Sequence, residues 1–435
     1  MKKFGIAAAS LATVAALLLA GCSTTSSSGS TTPADDGGKD ITLWLNGGDT
    51  PDALRDYLKT SYAKATGGTL TIEEQDWTDA LAKLTTALPD SENTPDVVEI
   101  GNTWSATFTT AGAFTDLSDI YDSLGGSKLL PSFVAAGDVD GKHYALPYYF
   151  GSRYMFYRKD VWAKAGLSVP TTLAEFNADA AKLKTADQSG FYIGGQDWRN
   201  GVSWIFANGG DLAVKDGDTW KSSLSDPKTI EGLTQLQALY TGASNAPVTE
   251  SDSTPWVNIN NNDSTGKPEA ATIIAPGWAH WSIGDLAPDP KDKTKTVATW
   301  NDKTFGVFVL PGVDGGAAPV FAGGSNIAIS AASKHQAAAK ELMKIIFSAN
   351  YQKLLGQNGL GPANLDYVSS LGDDEFAKAL SESAANSKLT PAAPGWAAVE
   401  GSGLLEEFFG KVNAGGDIAS LAKTYDEKID ALLNG

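Results

Sequence analysis

Between residues 41 and 100 the apolar positions switch repeatedly between strand-like runs and helical spacing. Ile41-Thr-Leu-Trp-Leu45 is a short apolar run that stops at Asn46-Gly47-Gly48. A run of that length, bounded by turn residues, reads as a buried strand. From Pro51 to Ala65 the spacing is helical, with Leu54, Tyr57, Leu58 and Tyr62 on one face, and Gly67-Gly68 ends it. Leu70-Thr-Ile72 is a second strand. Trp77 to Leu88 carries Leu81, Leu84 and Leu88 at helical spacing with Pro89 beyond, and Pro95-Asp-Val-Val-Glu-Ile100 is a third strand. The βαβαβ order predicts an α/β fold built on a mainly parallel, helix-covered sheet. Ligands of such sheets sit outside the carboxyl ends of the strands. That rule singles out Asn46–Asp49, Asp76–Trp77 and Asn102–Trp104.

Further on, Tyr144 to Arg158 reads as an aromatic-rich extended stretch interrupted at Gly151. Helices are predicted from Val161 to Leu167 and from Thr171 to Leu183. Ala270 to Ile274 is a buried strand ending in Pro276-Gly277-Trp278, and Phe305 to Leu310 is extended as far as Pro311-Gly312. Asn326 to Ser330 is a strand followed by a helix from Lys334 to Phe347, and from about Phe376 the chain is mostly helical. No repeat of 20–50 residues is visible. A body of about 400 residues exceeds what one core usually serves, so two lobes are expected.

The first residues pattern differently. Met1-Lys2-Lys3 is a basic head, Phe4 to Leu19 is uncharged and apolar, and Leu19-Ala20-Gly21-Cys22 follows. This is the layout of a secretory signal, and the apolar stretch is short of the roughly 20 residues that span a bilayer. The Leu-Ala-Gly-Cys ending resembles the bacterial lipobox, which implies removal of residues 1–21 and a lipid on Cys22. Cys22 is the only cysteine, so no disulfide is available and a large core must hold the exported body together. Ser23 to Gly38 is almost devoid of apolar residues; with Cys22 it reads as a flexible tether, 22–38. The net charge of −18 repels phosphate backbones and anionic headgroups. Nucleic acid is therefore excluded as a partner, and membrane attachment runs through the lipid alone.

The chain has 12 Trp and 13 Tyr. A sugar presents apolar C–H faces and a rim of hydroxyls, which aromatic platforms edged by Asn, Asp, Glu and Arg match. Trp77 and Trp104 follow strands of the first lobe, and Trp278 follows a strand of the second. Trp198 and Trp204 fall in a turn-rich stretch. Polar candidates beside strand ends or hinges are Asn46, Asp49, Asp76, Asn102, Thr103, Arg153 and Asn326. Each has a structural alternative: Asn46 can bond its own turn, Asp76 can cap the helix at Trp77, and Arg153 can pair across a hinge. Trp44, Trp162 and Trp220 read as core or surface cover.

Catalytic and cofactor signals are weak. His143, His280 and His335 are far apart, and no Gly-x-Ser-x-Gly elbow occurs. Gly323-Gly324-Ser325 precedes a strand without the Gly-Lys-Ser/Thr of a phosphate loop. Asn258 to Asp263 lacks the glycine and terminal glutamate of a calcium loop. A binding protein without cofactor or metal is expected rather than an enzyme. A glycoside hydrolase, with two carboxylates about 5–9 Å apart, and a cell-surface carbohydrate adhesin are the alternatives that share the aromatic signal.

Several stretches, taken in order, resemble the maltose-binding type of extracellular solute-binding protein, the receptor class of ABC sugar importers. They are Ile41 to Gly47, Thr94-Pro-Asp-Val-Val98 with Ala111-Gly112, and Tyr144-Ala-Leu-Pro147 with Phe156 to Asp160. They continue with Ile273 to Trp278, Val309-Leu-Pro311, Phe321 to Gly324, Ile327 to Ser330, and Pro391 to Trp396. The resemblance implies a two-lobed periplasmic-binding-protein-like fold whose hinge strands let the lobes close on a ligand cleft. It places lobe one at 39–148 plus 311–360 and lobe two at 149–310 plus 361–435, with crossings near 147–153, near Pro311 and near 359–362. It also implies stacking roles for Trp278 and Trp396. The family often has an acidic residue near Gly151, where this chain has Gly-Ser-Arg. The implied function is a monomeric, lipid-anchored receptor on the outer face of the bacterial cell membrane. It would take up a di- or oligosaccharide and deliver it to the membrane subunits of an ABC permease.

Overall fold

A computed structural model describes residues 37–251, 254–260 and 268–434. The signal segment, Cys22 and nearly all of the tether lie outside the described residues. So does half of the Asn258–Asp263 run, from 261 onward.

The first lobe is organised by β1 (Ile41–Asn46), which pairs in parallel with both β2 (Leu70–Gln75) and β3 (Val97–Gly101). This is the parallel sheet expected from the βαβαβ pattern. Helix α1 (Asp52–Thr66) covers one face, burying Leu54, Leu58 and Tyr62 in the same cluster as Ile41, Leu43 and Leu45. It stops at Gly67, whose φ of 75° is a left-handed cap that glycine adopts without steric cost. Helix α2 (Trp77–Ala87) covers the opposite face, where Ala80 and Leu84 meet Val98 and Ile100. A short α3 (Ser105–Thr110) follows β3.

The lobes are tied by β4 (Ala145–Arg158), a single 14-residue strand. The interruption expected at Gly151 does not occur. Gly151 lies opposite Gly323, and two glycines facing each other let the ladder run through. The first half of β4 pairs antiparallel with β7 (Ala322–Ile329), which in turn pairs with β3. Its second half pairs with β5 (Thr272–Pro276) and β6 (Phe305–Phe308). The result is one eight-stranded sheet in the order β6–β4–β7–β3–β1–β2, with β5 and the short β8 (Gly361–Pro362) also against β4.

Gly324, in β7, has a φ of +127°, and a Cβ there would stand 2.4 Å from the Tyr149 carbonyl. The β7–β4 register shifts immediately after it, between Ser325 and Asn326. An unpaired extra residue at such a bulge bends the strand.

The second lobe packs α4 (Leu173–Leu183), α5 (Trp198–Ala207), α6 (Pro227–Gly242), α11 (Leu404–Asn413) and α12 (Ile418–Leu433) around a core rich in Trp and Phe. Between them in the chain come α7 (Gln336–Ile346) and α8 (Ala349–Gln357), which return to the first lobe's core, then α9 (Glu375–Asn386) and α10 (Trp396–Gly401). Thr172 and Glu175 form a reciprocal capping box that starts α4. The stretch from Trp198, expected to be turn-rich, is instead the helix α5. Its residues are buried on nearly every side, so no helical period shows. Gly201 is required inside it because a Cβ would stand 2.7 Å from the Phe409 ring. A third cluster joins Phe133 and Phe150 to Tyr154, Phe156, Ile273 and Leu380, across the middle of β4.

Candidate ligand cleft

The three strand ends expected to carry function converge. Trp77 Nε1 and Tyr149 Oη both donate to Asp49 Oδ2, each at 3.0 Å. The Trp77 and Trp104 rings are 5.8 Å apart and tilted by 60°. Position 101 is glycine beneath them: a Cβ there would stand 3.3 Å from Trp104 and 3.5 Å from Trp77. Gly47 likewise leaves room for Trp77, 2.9 Å from where its Cβ would be. Burial lifts the Asp49 carboxyl above the ordinary aspartate value, while the bonds from Tyr149 and Trp77 and the charge of Arg55 pull it back. Asn46 is buried behind this turn, its Nδ2 donating to the Glu99 carbonyl. Asp76 is exposed and caps α2 by accepting from Thr78 N–H, which holds its carboxyl below the usual range.

The opposite wall begins on β4. Arg153 is 4% exposed; its Nε donates to Asn200 Oδ1 at 2.8 Å, and its guanidinium lies over the Phe321 ring at 4.5 Å. Asn200 is held by Asp197, the N-cap of α5. Trp198 packs edge-on against Phe321, and its Nε1 donates to Glu406 at 3.0 Å. Arg199 stacks over Trp198 and pairs with Glu400 of α10 at 2.6 Å.

The Ala397 amide of α10 donates to Thr107 Oγ1 of α3 at 3.2 Å, which brings the two walls into contact, and Asn102 Nδ2 donates to the Ala322 carbonyl of β7 at 3.2 Å. Thr103 is buried between Asn102 and Trp104. Nearer the hinge, a cavity of about 420 Å³ opens between Pro51 and the 356–359 turn on one side and Gly277, His280 and Trp281 on the other. Trp278, next to this cavity in sequence, is 37% exposed, with its ring 5.0 Å from Trp256.

Other candidates lie inside the protein. Trp204 has no exposed surface; it packs on Phe176 and Phe191 and donates to Asn177, a core tryptophan with its polar atom satisfied. Trp396 is also fully buried in the second lobe's core, and its Nε1 has no partner among the described residues. Asn326 is sealed in the sheet, where its Nδ2 donates to the Phe133 carbonyl of the short helix Pro131–Ala136 at 2.9 Å and to the Ala145 carbonyl of β4 at 3.4 Å.

Tyr149, Asn200, Phe321, Glu400 and Glu406 complete the walls and were not singled out from the sequence. Tyr149 was visible as one of many aromatics around residue 150. The others fall in helices or turns whose lobe placement a linear pattern does not carry.

Residues 58–382 match the model of the bacterial extracellular solute-binding protein family. The chain belongs to that family. It is similar to the diacetylchitobiose binding protein DasA of Streptomyces coelicolor, with 33% identity over 367 residues, 83% of this chain and 82% of that protein. Among solved structures it is similar to the GacH receptor of Streptomyces glaucescens, at a TM-score of 0.72 and 22% identity, covering 91% of this chain and 98% of the other. It is also similar to the sugar-binding protein MalE from Xanthomonas citri, at a TM-score of 0.73 and 20% identity, covering 91% and 97%. These structures establish the two-lobed α/β fold of the MalE-like binding proteins, in agreement with the expectation from the strand order.

Proposed function

We propose that this protein is the sugar-capturing component of an ABC importer, taking a di- or oligosaccharide between its two lobes. The observation that carries this reading is the Asp49–Trp77–Trp104–Tyr149 group on one wall facing Arg153, Asn200 and Trp198 on the other. Aromatic faces beside fixed carboxylate, amide and guanidinium groups suit a ring with apolar faces and a hydroxyl rim. The likeness to a diacetylchitobiose binding protein supports a short oligosaccharide of N-acetylhexosamine as the first ligand to try.

Within this reading, lobe one is 39–148 plus 311–360 and lobe two is 149–310 plus 361–435. They rotate about the middle of β4 and the 359–362 crossing. Closure is driven by the difference in ligand affinity between open and closed forms. Trp281 lines the hinge-side cavity and, with the exposed Trp278 three positions before it, extends the site for longer chains. A lipid on Cys22 holds the monomer at the outer face of the cell membrane, where a permease reads the closed form.

Isothermal titration calorimetry against N,N′-diacetylchitobiose, chitotriose, maltose and maltotriose tests the proposal, with chromatography of each mixture after prolonged incubation. Saturable binding with no change in the sugar is expected. Cleavage products would replace the reading with a glycoside hydrolase. Binding confined to insoluble polymer would replace it with an adhesin.

A further inference from the structure

Behind the cleft lies a charged residue type in an apolar place. Glu99 is on β3 between Val98 and Ile100, has no exposed surface, and clamps Asn46 from two sides. Its Oε2 accepts from the Asn46 amide at 2.9 Å, and its backbone carbonyl accepts from Asn46 Nδ2 at 3.0 Å. Its Oε1 has no geometrically close hydrogen-bond partner among the described residues. Asn46 ends β1, and the turn that follows delivers Asp49 to Trp77 and Tyr149.

The groups around Glu99 come from every element packed on it. From the β1 turn comes Asp49, a second acid; from β4 come Tyr148 and Tyr149; from β7 comes the Ser325 hydroxyl. From α8, Tyr351 feels its charge. The cation whose field reaches it, Arg55 of α1, is committed to Glu74 at 2.8 Å and to the carbonyls of Gly47 and Thr50. A carboxylate here would have the Asn46 backbone donor and the Ser325 hydroxyl, set against complete burial and the half-buried acid Asp49 as neighbour, with Arg55 committed elsewhere. Such a group is held neutral.

We propose that Glu99 is a positioning residue of the cleft, a buried neutral carboxylic acid that holds the β1 turn and Asp49 in binding geometry, so that ligand affinity falls when it ionises. The ligand part of this inference rests on the sugar reading above; the hold on the turn does not. Burial, with Asp49 beside it, pushes the Glu99 carboxyl up to about 8, within reach of mild alkali. Once it ionises, repulsion from the Asp49 carboxylate displaces the turn, or water enters at Glu99 and Asn46 shifts. Both outcomes loosen the Asp49–Trp77–Tyr149 contacts.

Two measurements on the wild type and Glu99→Gln test this. The first is the Kd for N,N′-diacetylchitobiose by calorimetry from pH 6.5 to 9. The second, without ligand, is hydrogen exchange by mass spectrometry of peptides covering residues 43–50, corrected for intrinsic exchange. The wild type should lose affinity about tenfold between pH 7 and pH 9, and exchange at 43–50 should rise over the same range. Glu99→Gln, an uncharged isostere, should show no pH dependence in either readout over this range. Exchange that is independent of pH in the wild type, or that rises equally in Glu99→Gln, overturns the role of Glu99 whatever the sugar result. Failure to bind any sugar at any pH, with the expected exchange profile, removes the sugar reading and leaves the hold on the turn standing.

Discussion

Glu99 also makes a prediction about stability that needs no ligand. Its folded carboxyl titrates at about 8, against an ordinary value of 4.5. Between those values the folded chain keeps a proton that the unfolded chain has released. Stability is therefore greatest at low pH, falls as pH rises through this window, and levels off above about 8. Between pH 6.5 and pH 9 the fall spans about 1.5 pH units, or about 2 kcal/mol at 1.36 kcal/mol per unit.

That window avoids the opposing contribution of His280. Burial lowers its folded value, so it adds stability as pH rises, but only up to the ordinary histidine range. The lowered acids act lower still, as with Asp116 at about 2, where the bonds and charge of Ser118 and Lys142 outweigh its desolvation. At roughly 2.1 cal/mol/K per residue of unfolding entropy, 2 kcal/mol is about 2–3 °C in Tm for a chain of this size. Scanning calorimetry of wild type and Glu99→Gln at matched pH reads the difference directly, since every other titration cancels. The melting curves should lie closest at and below about pH 4.5 and separate steadily as pH rises to about 8, with Glu99→Gln the more stable at pH 9. Parallel pH profiles would refute the assignment of a buried neutral acid.

Three further outcomes follow from the same contacts. Trp77→Ala should weaken sugar binding by about 1–3 kcal/mol in calorimetry, with little change in Tm, because the ring is only half-buried and bonded to Asp49. Trp204→Ala should do the reverse, costing about 3–5 kcal/mol of stability in denaturant melts while leaving Kd unchanged, because it empties a core site and strands Asn177. Gly324→Ala should lower Tm, by roughly 1–3 kcal/mol of strain, because alanine must hold a φ of +127° against the Tyr149 carbonyl. A normal Tm there would mean that β7 repacks freely beside the bulge at Tyr148 of β4.

The parallel half of the fold was legible because its strands and helices announce themselves locally. Ile41 to Leu45 is a buried run, and α1 shows a one-sided stripe closed by Gly67. Elements whose environment is decided by distant partners were not. The helix α5 is buried all round, so it has no polar face to set a period. β4 runs through Gly151 because Gly323 lies opposite it, more than 170 positions along the chain. Glu99 appeared in the sequence only as an acid within a strand, and nothing local shows that Asn46 would seal it in.

The tryptophans show why a count of aromatics is a poor guide to the site while their position is a good one. Trp77 and Trp278 follow strands of the sheet and keep exposed surface, and Trp104 follows β3 to meet Trp77 across Gly101. Trp204 lies inside a helix, and Trp396 begins one that follows no strand; both are fully buried. The reason is geometric. A residue just past the carboxyl end of a strand lies at the edge of its lobe, where Trp77 and Trp278 keep exposed surface while Trp104 is covered by its own lobe's cluster with Val98, Ile100 and Phe108. A residue on a helix packed into a core has neighbours on every side. Trp198 is the informative exception. It sits in the first turn of α5, fully buried, yet its indole N–H reaches Glu406, its face carries Arg199 and its edge meets Phe321 beside Arg153. Its place at the helix start, next to the Asp197 cap and Asn200, brings it to the wall that faces the first lobe. Sorting aromatics by the element they follow, and not by residue type, separates the partly exposed Trp77 and Trp278 from the core Trp204 and Trp396.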